Sequence, residues 1–137
     1  MKKLFLDTNI IVDLIADRKP FSKYAIEIFK HAEEKKVQIF TSSHSITTTH
    51  YLLKKHVEEK ILREILSNLI EFITIVPVNN DVIKKALKSK HKDFEDAIQI
   101  ISASAIENID FIITRNLKDF RESEILALSP DEYFLRN

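Results

Sequence analysis

The chain has 137 residues, with 21 basic and 21 acidic side chains, no cysteine and no glycine. That length suits a single domain, residues 1–137, with a self-sufficient core, and the balanced charge leaves local basic patches as the only electrostatic route to a nucleic acid. Lack of cysteine removes disulfides, thiol nucleophiles and cysteine zinc sites, and lack of glycine removes the P-loop and the dinucleotide-binding loop, whose backbones must approach a phosphate closely.

Leu4, Phe5 and Leu6 form an apolar run too short for a helix and suited to a strand buried on both faces. No run reaches the roughly 18 residues of a membrane span, and Met1-Lys2-Lys3 leads directly into this strand, so a cytoplasmic protein with no membrane association is expected. Asp7 ends the strand. Thr8 and Asn9 can cap the helix that follows, whose Ile10, Ile11, Leu14 and Ile15 repeat at helical spacing. Ser22 is expected to cap a second helix, with Phe21 as a hydrophobic staple and Ala25, Ile26, Ile28, Phe29 and Ala32 on its inner face.

Val37 to Phe40 reads as a second strand, and Ser42 and Ser43 open a helix through Leu53. Another helix spans about Glu58 to Phe72, with Ile61, Ile65, Leu66, Leu69 and Ile70 turned inward. Ile73 to Val76 is a third strand, ending at Pro77, and Asn79 or Asn80 caps a short helix carrying Val82, Ile83, Ala86 and Leu87. The helix from Asp93 to about Ile106 has an apolar face wide enough to lie on a sheet. Asp110 to Thr114 is a fourth strand, and Ile125 to Leu128 a fifth, before a short helix begun at Ser129-Pro130. Tight turns are sought at Asn79-Asn80 and Ser129-Pro130. Alternation of strands and helices gives an α/β fold, a three-layer sandwich with a mostly parallel sheet of about five strands.

A carboxylate at the carboxyl end of a central strand faces the crevice where open α/β sheets bind ligands, which makes Asp7 a candidate for chemistry; capping of the next helix is its simpler reading. Asp93 and Asp96 lie three apart at a helix start and share a face, as ligands of a hard cation would, although an N-cap with a dipole-complementing partner explains the pair alone equally well. The turn Thr114-Arg115-Asn116-Leu117-Lys118-Asp119 follows the fourth strand as Asp7 follows the first. Lys84 to Lys92, with Arg115, Lys118 and Arg121, flank these acids. Solvated helix faces are the commoner meaning of such runs. The five histidines lack zinc-site spacing.

Leu6-Asp7-Thr8-Asn9-Ile10, Asp93-Phe94-Glu95-Asp96-Ala97, Thr114-Arg115-Asn116 with Leu117-Lys118-Asp119-Phe120, and the closing Ser129-Pro130-Asp131-Glu132-Tyr133-Phe134 together resemble the PIN domain family, in a subgroup related to VapC-type toxin ribonucleases. The resemblance implies a parallel sheet flanked by helices, a Mg²⁺ or Mn²⁺ dependent ribonuclease site, RNA as substrate, a cognate antitoxin as partner and a homodimer as an assembly. By position it implies Asp7 and Asp96 as metal ligands, Asp93 as an added carboxylate, and Asp119 in place of the Asp that many members have at Asn116, so that Asp7, Asp93, Asp96 and Asp119 carry the catalysis. Asn9, Thr114 and Asn116 are then expected as hydrogen-bonding support, and Lys90, Lys92, Arg115 and Lys118, from the basic segments beside the acids, as RNA contacts. The departure is at Ser45 to Leu52, where most members place a Glu near Thr48 and this chain has no carboxylate. Either Asp93 compensates, or the chain is a catalytically weak or silent PIN module that binds RNA or a protein. A phosphate-accepting receiver and a haloacid-dehalogenase-type hydrolase both fit poorly, since Asp7-Thr8-Asn9 lacks the second Asp of the latter and no acidic cluster precedes Asp7 as in the former.

Overall fold

The computed structural model describes residues 1–136. Five strands form one sheet of order β3-β2-β1-β4-β5: β1 (Lys2–Leu6), β2 (Val37–Ser42), β3 (Ile73–Val76), β4 (Phe111–Ile113) and β5 (Ala127–Leu128). All four pairings are parallel. From β1 the chain adds strands on one side through β2 and β3, then returns to the other side for β4 and β5, so the strand order reverses between β1 and β4. In an open parallel sheet this is where the connecting segments part and leave a crevice at the carboxyl edge.

The helices are α1 (Thr8–Ala16), α2 (Ser22–Glu33), α3 (Ser43–Leu53), α4 (Glu59–Leu69), α5 (Asn80–Leu87), α6 (Phe94–Ser104) and α7 (Pro130–Arg136), with a 3-10 turn at Leu117–Phe120. Leu4, Leu6, Ile11, Ile28, Ile39, Leu62 and Ile113 share the core on one side, while Phe5, Phe40, Ile100, Ala103, Ile112 and Phe120 pack on the other. Adjacent residues of β1 thus feed opposite layers, as strand alternation requires, and this is why Leu4-Phe5-Leu6 reads as continuous apolar sequence.

Several local expectations need correction. Ser22 does not cap α2: it is the first helical residue and donates to Asp17 Oδ1 at 2.7 Å, while Phe21 holds the cap position without a side-chain hydrogen bond. Phe21 is at the cap itself and not before it, where a staple residue would stand, and its ring lies under the Arg115 guanidinium at 3.9 Å. Ile26, Ile61, Ile70, Ile83 and Leu87 are exposed. On α4 the buried face runs Leu62, Leu66 and Leu69 at spacings of four and three, leaving Ile61 and Ile70 on its flanks. The pairs Asn79-Asn80 and Ser129-Pro130 are helix starts and not tight turns: Asn79 caps α5 through Val82 N, and Ser129 exchanges bonds with Glu132 in a capping box. Without glycine the left-handed backbone positions fall to Asp17, Lys35 and Asn108. Asp and Asn accept that conformation more readily than most residues; Lys35 has no such advantage.

Ile112 lies on the interior strand β4 with no exposed surface, so Ile112→Ala is expected to destabilise the fold by about 2–5 kcal/mol in urea unfolding. Leu135→Ala, at a largely exposed position, is expected to change it by less than about 0.5 kcal/mol.

Candidate active site

The reversal point between β1 and β4 holds Asp7, which is only 7% exposed. Its backbone N donates to Ile113 O at 2.9 Å and its Oδ1 accepts from Thr8 N at 2.9 Å, so the residue both extends the β1 pairing with β4 and caps α1. The capping and the chemical readings of Asp7 are therefore compatible. Oδ1 also accepts from Gln99 Nε2 at 3.1 Å, and Oδ2 from Thr114 Oγ1 at 2.8 Å, with Asn9 Nδ2 more distant at 3.4 Å. Burial nevertheless raises the Asp7 pKa above the usual carboxylate value, against the lowering effect of those bonds and of Arg115.

Gln99 is the centre of a buried polar network absent from the sequence expectations. It is 2% exposed, accepts from Ser42 Oγ at 2.5 Å and donates to Ser45 Oγ at 2.6 Å, while Thr8 Oγ1 donates to Ser45 Oγ at 2.9 Å. A primary amide suits this place because it donates to the carboxylate and accepts from a hydroxyl at once. Its signal in the sequence is its position three residues after Asp96 and four after Glu95, on one face of α6.

Asp7, Asn9, His44, Thr48, Glu95, Asp96 and Gln99 line a cavity of about 230 Å³, with Arg18 and Leu52 at its wall. A neighbouring hollow is lined by Lys90, His91, Lys92, Asp93, Asp96, Lys118, Asp119, Arg121 and Glu122. Asp96 belongs to both. The four predicted acids are thus divided: Asp7 and Asp96 face the first cavity, and Asp93, Asp96 and Asp119 the second. Asp93 is the N-cap of α6, its Oδ1 accepting from Asp96 N at 3.0 Å. Among the described residues no three His, Asp or Glu side chains are gathered closely enough to hold an ion between them as they stand.

Of the supporting residues, Thr114 binds Asp7 directly and accepts from Asn116 N at 3.0 Å. Asn9 Oδ1 meets Arg115 N at 3.4 Å. Arg115 is not gathered with the basic residues of the second hollow. Its guanidinium makes two bonds to Asp13, of 2.6 and 3.0 Å, and lines a separate groove with Phe21 and Pro130. Asp13 is 1% exposed, so this fork neutralises a buried carboxylate and ties the loop after β4 to α1.

A PIN domain profile matches residues 3–118. The chain belongs to the PIN domain family. Ribonuclease VapC1 of Aquifex aeolicus (strain VF5) is 30% identical over 137 residues, covering 96% of this chain and 93% of that protein. A toxin-antitoxin complex from Klebsiella pneumoniae contains a chain of similar fold, with a TM-score of 0.67 and 27% identity, covering 93% of this chain and 97% of that one. The fold also resembles a chain of VapBC2 from Rickettsia felis, solved bound to a promoter DNA fragment, with a TM-score of 0.69, 18% identity and coverage of 93% and 98%.

The donor chemistry of this PIN site suits a hard divalent cation, which takes carboxylate, amide and hydroxyl oxygens. The Asp96 carboxyl is pushed up to about 7, first by burial and then by repulsion from Asp93, Asp7, Asp119 and Glu95 in turn. That is the signature of clustered negative charge with too little positive charge among it. Between the unfolded carboxyl value near 3.8 and about 7, the folded protein holds a proton on Asp96 that the unfolded chain has lost. Stability of the metal-free protein is therefore expected to fall as pH rises through that window, the raised pKa of Asp7 acting in the same direction. Asp96→Asn is expected to flatten the slope and to be the more stable protein at pH 8, as read from melting temperatures in the presence of a chelator.

Proposed function

We infer that this chain is a ribonuclease of the VapC type, hydrolysing RNA phosphodiester bonds with Mg²⁺ or Mn²⁺ and restrained by a cognate antitoxin. The observation that carries this reading is the convergence of buried Asp7 and half-buried Asp96 on one cavity at the strand-order reversal, in a chain of PIN family membership. Asp7 and Asp96 would hold the ion, and a bound divalent cation neutralises charge on the phosphate and activates water for in-line attack.

The chain's own residues supply placement. Thr114, Gln99 and Thr8 N fix both oxygens of Asp7, so its carboxylate is oriented before anything binds. Lys90, Lys92 and Lys118, with Arg121, offer exposed cations along the second hollow, beside the acids that would otherwise repel RNA. An RNA strand crossing from that hollow to the Asp7 cavity passes Asp96, the residue common to both. Asp119 sits on this path on the 3-10 turn, and Asp93 at the start of α6. Arg115, held by Asp13, contributes by fixing the Thr114-Arg115-Asn116 loop. The antitoxin and a homodimer are the protein partners proposed, in keeping with the toxin-antitoxin complexes among the chains of similar fold. No helix among the described residues is long and apolar enough to cross a membrane.

The absence of a carboxylate on α3 favours a second reading, a silent module that binds RNA without cutting it. Cleavage of single-stranded RNA with added Mn²⁺ separates the two. Activity abolished by chelator, and lowered at least about a hundredfold by Asp7→Asn, is expected for the nuclease. Binding without cleavage at any metal concentration establishes the silent module. Lys90→Ala, Lys92→Ala and Lys118→Ala are each expected to raise KM several-fold with little change in kcat, and to reduce the dependence of log affinity on log salt by about 0.7 for each phosphate no longer neutralised.

A further inference from the structure

The resemblance leaves a carboxylate missing from α3, near Thr48, and Asp93 is the obvious substitute by sequence. The geometry points elsewhere. Thr48 does line the cavity that holds Asp7 and Asp96, so the place where a Glu on α3 would project is a wall of this site. Asp93 does not line that cavity: it is committed to Asp96 N as the cap of α6 and faces the neighbouring hollow.

Glu95 does line it. Its Oε1 stands 3.8 Å from His44 Nε2, and that same nitrogen stands 3.3 Å from Thr48 Oγ1. These two approaches join the first turn of α6 to the half-buried His44 and Thr48 of α3, so a carboxylate from the opposite helix stands near the wall at Thr48. Helix geometry explains why Glu95 can do this and Asp93 cannot. Glu95 and Gln99 are four apart and project along one face, with Asp96 beside them, and Gln99 already reaches Asp7 from that face. Asp93 precedes the helix and is turned back upon it.

We propose that Glu95 supplies the carboxylate that α3 lacks, joining Asp7 and Asp96 as a ligand of the divalent cation. This rests on the metal-dependent reading above. Glu95 has a longer side chain than Asp, and 69% of it is exposed, so it can swing from His44 into the cavity without disturbing the core. The cost is the rotamer freedom lost when it settles, absent for a ligand already fixed in place. The site would thus be completed by its ion, in accord with the lack of a ready-made group of three ligands among the described residues.

The test is calorimetric titration of Mn²⁺ into the full-length chain, with no RNA and no turnover. Wild type, Asp7→Asn, Glu95→Gln, Asp93→Asn and the double variant Glu95→Gln/Thr48→Glu are compared, each first checked for an unaltered fold by circular dichroism without metal. Glu95→Gln is expected to weaken binding by about tenfold or more, Asp93→Asn, which preserves the cap, by less than about twofold, and the double variant to recover much of the loss. If Asp7→Asn abolishes binding while Glu95→Gln binds as wild type, Glu95 is no ligand and the metal-dependent reading survives. If Asp93→Asn shows the large loss and Glu95→Gln does not, Asp93 is the substitute. A double variant as weak as Glu95→Gln alone overturns the claim that the two positions serve one ligand place. Wild type that takes up no Mn²⁺ at millimolar concentration overturns both proposals together.

Discussion

The carboxyl edge of this sheet depends on how one buried carboxylate, that of Asp7, is held. A charge removed from water must find donors, and each donor to Asp7 comes from a different part of the fold: Thr8 N from the start of α1, Gln99 from α6, and Thr114 from the end of β4. These bonds oppose the effect of burial without cancelling it, so the group stays harder to ionise than an ordinary carboxylate. Each donor is in turn fixed by something else. Gln99 leans on Ser42 and Ser45 at the junction of β2 and α3, and the Thr114 loop is pinned through Arg115 to Asp13. The orientation of a single side chain is thereby coupled to β1, β2, β4, α1, α3 and α6.

The same edge carries a second tension, between negative charges. Asp96 lies where two hollows meet and feels Asp7, Asp93, Asp119 and Glu95 together. Lysines 90, 92 and 118 line only the second hollow, so the charge is balanced on one side of Asp96 and not on the other. This asymmetry is what a polyanion needing both a landing strip and a cation-filled reaction point would require.

Much of this architecture was legible in the sequence because the strands are short, apolar and separated by helices of clear period. Asp7 was legible as the residue that ends β1 and caps α1, whereas a chemical role for it was legible only beside the Asp93-Phe94-Glu95-Asp96 and Thr114-Arg115-Asn116 motifs, since capping alone explains an Asp at that place. Phase within a helix was harder to read. Ile26, Ile61 and Ile70 are apolar residues beside the buried face, and periodicity alone does not separate a flank from a centre. Ser22 looked like a cap because its side chain suits one, yet Asp17 in a left-handed conformation claims it. Local spacing puts Gln99 on the α6 face of Glu95 and Asp96, but it does not give the network, because the partners of Gln99 lie 54, 57 and 92 residues away. Arg115 looked like an RNA contact by sequence neighbourhood, and its partner Asp13 is 102 residues distant. The division of the acids between two hollows is also a tertiary fact: Glu95 and Asp93 are two apart, and the helix start sends them to different sides.

The central claim is that the acids around Asp96 are poised for a divalent cation, and carboxyl-selective NMR titration of Asp96 tests it most directly. Without metal the Asp96 resonance is expected to titrate near 7, and with saturating Mg²⁺ to move well below its ordinary value of 3.8. A metal-free Asp96 that titrates as an ordinary exposed carboxylate, unmoved by Mg²⁺, would contradict it.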